Sequence, residues 1–288
     1  PPPASPTQAP GGGLPLRIMT QPIIELRDIR KSYQMGDTVS QVLQGVSLTI
    51  YPGEYVCIMG PSGCGKSTLL NVLGCLDQPS SGHYFLGGED VARLNDDDLS
   101  KARCRNLGFI FQSYNLIQQL TVLENIEVPL YYKGVPEQES REIAIRLASQ
   151  VGLSHRLHHR PTELSGGQQQ RVAIARSLAN DPLVILADEA TGNLDSKSGQ
   201  EILGIFDDLN KAGKTMVFVT HDERMVGRCT RVIRLKDGEV DRDERGAAAD
   251  RYTGITGTSV RPHATDSSAP DHTAEGAAAT LVHQPVLS

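Results

Sequence analysis

Residues 55–76 read YVCIMGPSGCGKSTLLNVLGCL. The first five are apolar and suit a buried strand. The stretch from Lys66 onward holds helix formers with apolar residues at helical spacing, and a glycine loop separates the two. Strand, loop and helix in that order are the setting in which GxxxxGK[ST] becomes a phosphate cradle. Gly60, Gly63 and Gly65 let the backbone curl around phosphates, and Pro61, Ser62 and Cys64 complete the loop. Lys66 is placed to reach β and γ oxygens, Ser67 to offer its hydroxyl to Mg2+, and Thr68 to donate to the α-phosphate. Unpaired N–H groups and the positive end of the helix dipole favour an anion there. Cys64 has two readings: a small residue that fits the loop, or a thiol activated by the helix start whose oxidation would block the nucleotide.

Working outward, VILAD at 184–188 and MVFVT at 216–220 are short, continuously apolar and β-branched, as strands buried on both faces of a parallel sheet are. The first ends in Asp188 and Glu189, and packing gives no reason to add two charges there. Asp188 suits a metal shell, and Glu189 is placed to orient or deprotonate a water for attack on the γ-phosphorus. His221 follows the other strand, and ligands of open α/β sheets collect at such carboxyl ends. Three strand ends bearing Lys66, Glu189 and His221 together point to Mg-ATP hydrolysis.

The predicted fold class is α/β, a P-loop NTPase core with a mixed, largely parallel sheet, an antiparallel β edge subdomain and a helical subdomain. The alternation of IIELRDI at 23–29 and VSLTI at 46–50 supplies the antiparallel edge, with YQMGDTVSQ between them as a connecting turn. The helical subdomain is placed at about 113–165, where Pro136 begins a segment carrying Ile143, Leu147 and Val151 at four-residue spacing. Asp96, Asp97 and Asp98 read as a helix start, not as metal ligands. His155, His158 and His159 read as a solvated connection, since no carboxylate or cysteine stands at ligand spacing.

The chain holds 28 basic and 34 acidic residues, a net charge of -6, with no concentrated basic stretch, so nucleic acid is not an expected partner. Its apolar runs fall far short of the roughly 20 residues that span a bilayer. The five cysteines lack CxxC spacing, which argues against a zinc site or a disulfide framework and suits a reducing compartment. Residues 1–21 and 245–288 lack a core-forming pattern and are expected to be a disordered extension and tail around a domain at 22–244, with Met19 a candidate natural start.

A second glycine-rich helix start, LSGGQQQ at 164–170, raises the question of why one domain carries two. With LSGGQQQR the chain resembles the ATP-binding subunit of ABC transporters over about residues 22–240. The resemblance implies ATP and Mg2+ as cofactors and assigns further residues. Gln112 in FIFQS resembles the loop glutamine that senses the γ-phosphate and Mg2+. Asp195, ending GNLD, resembles the D-loop, His221 in VTHD the switch histidine, and Tyr33 in KSYQ the aromatic on which adenine stacks. Ser165, Gly166, Gly167 and Gln168 form the signature, which in that family closes over the P-loop of a second copy. ATP then becomes the glue of a head-to-tail dimer.

YQMGDT, GFIFQSYNL, ELSGGQQQRVAIARSLANDP and LADEATGNLD are similar to the macrolide-export and lipoprotein-release branch (MacB and LolD). The branch usually has proline after the catalytic glutamate; Ala190 stands there, which bears on loop rigidity and leaves Glu189 intact. The resemblance implies work with an integral membrane permease of the MacB, LolCE or FtsX-like type, from the cytoplasmic face of the inner membrane. The leading expectation is a transport ATPase. The alternative is a mechanical or regulatory ATPase like the cell-division subunit FtsE, which moves no substrate.

Overall fold

The computed structural model describes residues 21–249. The extension through residue 20, with Met19, and residues 250–288 lie outside the described residues. Strands β1 (Ile24–Met35) and β2 (Thr38–Ile50) form one long antiparallel hairpin. Here the sequence reading needs correction: most of YQMGDTVSQ is strand, and only Gly36 and Asp37 turn the chain. A two-residue Gly-Asp loop matches the twist of paired strands, and Gly36 supplies the left-handed φ of 61° that such loops require. The hairpin then extends past the short apolar alternation that marks its buried half.

The chain continues through β3 (Tyr55–Met59), α1 (Lys66–Leu73), β4 (Ser81–Leu86), β5 (Glu89–Asp90), α2 (Asp96–Asn106) and β6 (Leu107–Ile110). Next come α3 (Val122–Lys133), α4 (Glu137–Gln150), α5 (Gly166–Leu178), β7 (Val184–Asp188) and α6 (Ser196–Lys211). It closes with β8 (Thr215–Val219), β9 (Arg231–Lys236) and β10 (Glu239–Arg245). One sheet has the order β2-β1-β4-β5 and is antiparallel. The other has the order β10-β9-β3-β8-β7-β6, parallel except for β10 at its edge.

Every residue of β3 and β8 is buried, so the two faces of the parallel sheet feed different cores. Tyr55, Cys57 and Met59 face the helices, packing with Val172, Ile202 and Phe206. Val56 and Ile58 face the antiparallel sheet, packing with Ile24, Leu43 and Leu69. Each buried aliphatic chain contributes about 1.5–3 kcal/mol relative to exposure, and the parallel strands are thereby fixed while their carboxyl ends stay open.

The segment 113–165 holds α3, α4 and two short 3-10 turns. Thr121 and Glu124 cap α3 reciprocally, and Pro136 stands just ahead of α4. Leu147 and Val151 are buried and Ile143 packs beside them, as their spacing predicts. Asp96, Asp97 and Asp98 occupy the first turn of α2, where Asn95 is the cap. Within 155–159, His159 Nε2 lies 2.7 Å from Arg156 Nη1.

The expected tail from residue 245 begins too early. Arg245 completes β10, Gly246 N–H donates to Thr230 O at 2.8 Å, and Ala248 is buried. A Cβ on Gly246 would lie 2.1 Å from Cys229 O, so only glycine lets the chain close here. A small-residue run that looks featureless in sequence thus fills a tight corner.

Candidate active site

The carboxyl ends of β3, β7 and β8 bring the predicted residues of the phosphate loop, Asp188, Glu189 and His221 to one edge of the sheet. Gly60 leaves β3 where there is no room for a side chain: a Cβ would stand 2.3 Å from Leu235 O and 2.7 Å from Cys64 Sγ. Gly65 caps α1 with φ 99°, and the helix ladder opens with Leu69 N–H to Gly65 O at 2.8 Å, so the amides ahead of it point out of the helix start. Gly238 N–H donates to Cys64 O at 3.2 Å and ties the loop to the β9–β10 turn. Lys66 Nζ donates to Gly60 O at 2.8 Å and Pro61 O at 2.7 Å, which folds its charge over the loop. Pro61, Ser62, Gly63 and Ser67 are exposed on the loop surface, and Thr68 is half-buried. Cys64 is only 4% exposed, which favours the reading of a small residue that fits the loop over that of a reactive thiol.

Glu189 N–H donates to Val219 O at 2.9 Å, yet its φ is 47°, a left-handed conformation in a non-glycine residue. Such backbone strain gathers at functional positions. Its Oε1 lies 2.7 Å from His221 Nδ1, so carboxylate and imidazole form one unit. The Asp188 carboxyl is pushed above its ordinary range by burial first and then by the Glu189 charge, with Lys66 acting the other way. Raised in the fold, Asp188 favours the folded state below the ordinary carboxylate pKa, and that contribution is lost as pH rises through its folded value. Asp188→Asn is therefore expected to raise the melting temperature of the nucleotide-free protein by about 2 °C at neutral pH, with the gain vanishing at acid pH. Calorimetry at two pH values checks it.

Two contacts hold the Tyr33 ring, and an ion pair links the two partners. Its hydroxyl donates to Asp77 Oδ2 at 2.8 Å, Lys31 Nζ sits 4.9 Å from the ring centroid, and the same ammonium donates to Asp77 Oδ1 at 2.6 Å. Burial and then the Asp77 bond raise the Tyr33 hydroxyl pKa, with Thr68 acting the other way.

Gln112 is exposed after β6 and paired with Asn193: Nε2 donates to Asn193 Oδ1 at 3.3 Å, and Asn193 Nδ2 donates to Gln112 O at 3.0 Å. Asp195 caps α6, accepting from Lys197 and Ser198 N–H at 3.0 Å each, and the Ser198 side chain first, then those N–H groups, hold its carboxyl low. Ser165 caps α5 in a reciprocal box with Gln168. Gly166 lies against Tyr114 and Leu194, and Gly167 against Ser198. The signature thus packs against Tyr114, Leu194 and Ser198, on other elements than the phosphate loop. The two glycine-rich helix starts are separate surfaces of one chain.

Sequence reading passed over Lys31, Asp77, Asn193 and Gln170. Gln170 is fully buried, and its Nε2 donates to Ala190 O at 2.7 Å, linking α5 to the turn after Glu189. A polar residue three and four positions before the apolar Ala173 and Ile174 was its available signal. Asn193 lay inside the quoted GNLD; Asp77 and Lys31 left no pattern.

The family model described as ABC transporter matches residues 43–192. An uncharacterized ABC transporter ATP-binding protein of Thermotoga maritima is 54% identical over 77% of this chain and 95% of its own length. A macrolide export ATP-binding/permease protein of Hyphomonas neptunium is 49% identical over 81% of this chain. This chain spans 36% of that relative's length. Among solved structures, a dimeric ATP-binding cassette in a post-hydrolysis state with ADP and Pi is similar at 47% identity and TM-score 0.71, covering 77% of this chain and 98% of that one.

Proposed function

We propose, from the premise that this chain belongs to the ABC transporter family, that it is the ATP-hydrolysing subunit that powers a membrane permease. The observation that carries the proposal is the Glu189–His221 pair beside the phosphate loop, in a chain whose signature helix makes its contacts elsewhere. A signature turned away from its own loop is free to complete the loop of a second copy. Two chains paired head to tail then enclose two nucleotides.

In each site the loop amides and Lys66 hold the phosphates, and Tyr33 stacks on the base. Glu189 orients a water and takes its proton, and His221 holds the Glu189 carboxylate toward that water. The unfavourably buried Asp188 carboxyl, beside a second carboxylate, fits a cation. Ser67, Gln112 and Asp188 would hold Mg2+, which offsets charge on the phosphates. Partner-supplied Ser165, Gly166, Gly167 and Gln168 close the γ-phosphate end, with Asp195 at the same interface.

Among the described residues no helix is long and apolar enough to cross a membrane. In this reading the power passes to a permease by contact, with the chain working from the cytoplasmic face of the membrane, where ATP is supplied. A groove of about 660 Å³ beside the Gln112 segment offers the surface. Phe109, Phe111 and Tyr132 line it with Lys101, Arg103 and Arg176, and among the described residues no carboxylate does, which suits an amphipathic permease segment bearing acidic residues. The test is turnover of Mg-ATP by the purified chain at rising protein concentration. Turnover per chain is expected to climb as dimers form; a value independent of concentration through the monomer range counts against paired sites.

A further inference from the structure

The segment after Gln112 contains two consecutive non-glycine residues in the left-handed region, Tyr114 at φ 62° and Asn115 at φ 49°. Side chains resist this conformation, so two in succession require something to hold them. What holds them comes from the signature helix. Arg176, in the last turn of α5, donates from Nη1 to Asn115 O at 2.6 Å and from Nη2 to Tyr114 O at 2.8 Å. The kink turns both carbonyls to one side, and one guanidinium spans them. Burial holds the Arg176 pKa below its ordinary value, and no carboxylate is paired with it among the described residues. Two aligned carbonyls are its compensation.

We propose that Arg176 is a positioning residue for ATP hydrolysis: by clamping the Tyr114–Asn115 kink it joins the Gln112 segment and the signature helix into one piece. The inference rests on the ATPase reading above. At one end of that piece Gln112 meets Asn193, and at the other Tyr114 lies over Gly166, where an added Cβ would stand 2.8 Å from its hydroxyl. Gln112 serves the chain's own nucleotide and Gly166 the nucleotide of the second copy. A shift in either is carried to the other through the clamp, and the groove that Arg176 and Asn115 both line lies against it.

Asn115 gives a test that leaves the core alone, because its side chain is exposed. Valine resists a left-handed φ more than asparagine does, so Asn115→Val attacks the kink with Arg176 in place. Asn115→Val and Arg176→Met are each expected to lower kcat by about 10- to 100-fold, with KM for ATP within about twofold of wild type. Arg176→Lys, which keeps the charge and loses the fork, is expected to fall between. The double variant is expected to be no worse than the poorer single one, because both remove the same device.

Amide exchange of the nucleotide-free chain gives a second reading that needs no turnover. Exchange at 113–116 is expected to quicken about tenfold or more in both single variants, with β3 and β7 amides unchanged. Wild-type kcat in Asn115→Val, additive losses in the double variant, or unaltered exchange at 113–116 would each overturn the clamp. A wild-type chain that fails to hydrolyse ATP while the exchange prediction holds would instead count against the ATPase reading alone.

Discussion

Glu189→Gln is expected to bind Mg-ATP about as tightly as the wild-type chain while its turnover falls by about 10²- to 10⁴-fold, the usual worth of a general base. The amide keeps the shape and loses the proton acceptor. Binding is expected to be spared because Glu189 faces His221, whereas the proposed phosphate contacts are those of Lys66 and the loop amides. With cleavage blocked, the nucleotide bridge between two chains persists, so a stable dimer is expected in size-exclusion chromatography with Mg-ATP and a monomer without it. Elution as monomer in both conditions would contradict the shared-site arrangement. The strained φ of Glu189 is retained by glutamine, which makes a loss through misfolding a poor explanation.

The second large effect is a gain from two inactive parts. Lys66→Ala and Ser165→Arg homodimers are each expected to be inactive, the first through its phosphate loop, the second through an arginine where the signature must close. In a mixed dimer one site combines both defects. The other combines the intact loop of the Ser165→Arg chain with the intact signature of the Lys66→Ala chain. Equal mixing should restore intact sites to roughly one quarter of the wild-type number, since half of random pairs are mixed and each holds one good site. ATP-dependent crosslinking of the mixture reads this directly. Doubly substituted chains should regain nothing, and absence of a crosslinked heterodimer in the mixture would show that Lys66 and Ser165 do not complete each other across an interface.

What could be read before the fold was known follows a physical line. Phosphate chemistry requires glycines, a lysine and a hydroxyl at fixed separations along a few residues, so Gly60–Ser67 announced itself. Strands buried on both faces must be apolar throughout, so β3, β7 and β8 did too. The β1–β2 hairpin was underestimated because its outer half is half-exposed and polar, leaving a two-residue Gly-Asp loop as its signal. Residues that act through another side chain were least visible. Asp77 stands 44 positions from the tyrosine it holds and Asn193 stands 81 from Gln112, separations that topology alone closes. The corner at Gly246–Ala248 was missed for the opposite reason: alanine and glycine pack tightly without leaving a periodic trace.

That corner also fixes where residue 249 sits on the fold. Gly246 is bonded to Thr230, and Thr230 in turn to Tyr55, the first residue of β3. The described chain therefore finishes at the amino ends of the parallel strands, whereas the phosphate loop, Glu189 and His221 occupy their carboxyl ends. A dye, an affinity handle or a surface linkage joined at residue 249 begins on the rim of the sheet away from the nucleotide, a convenient anchor for watching two chains come together in single-molecule recordings.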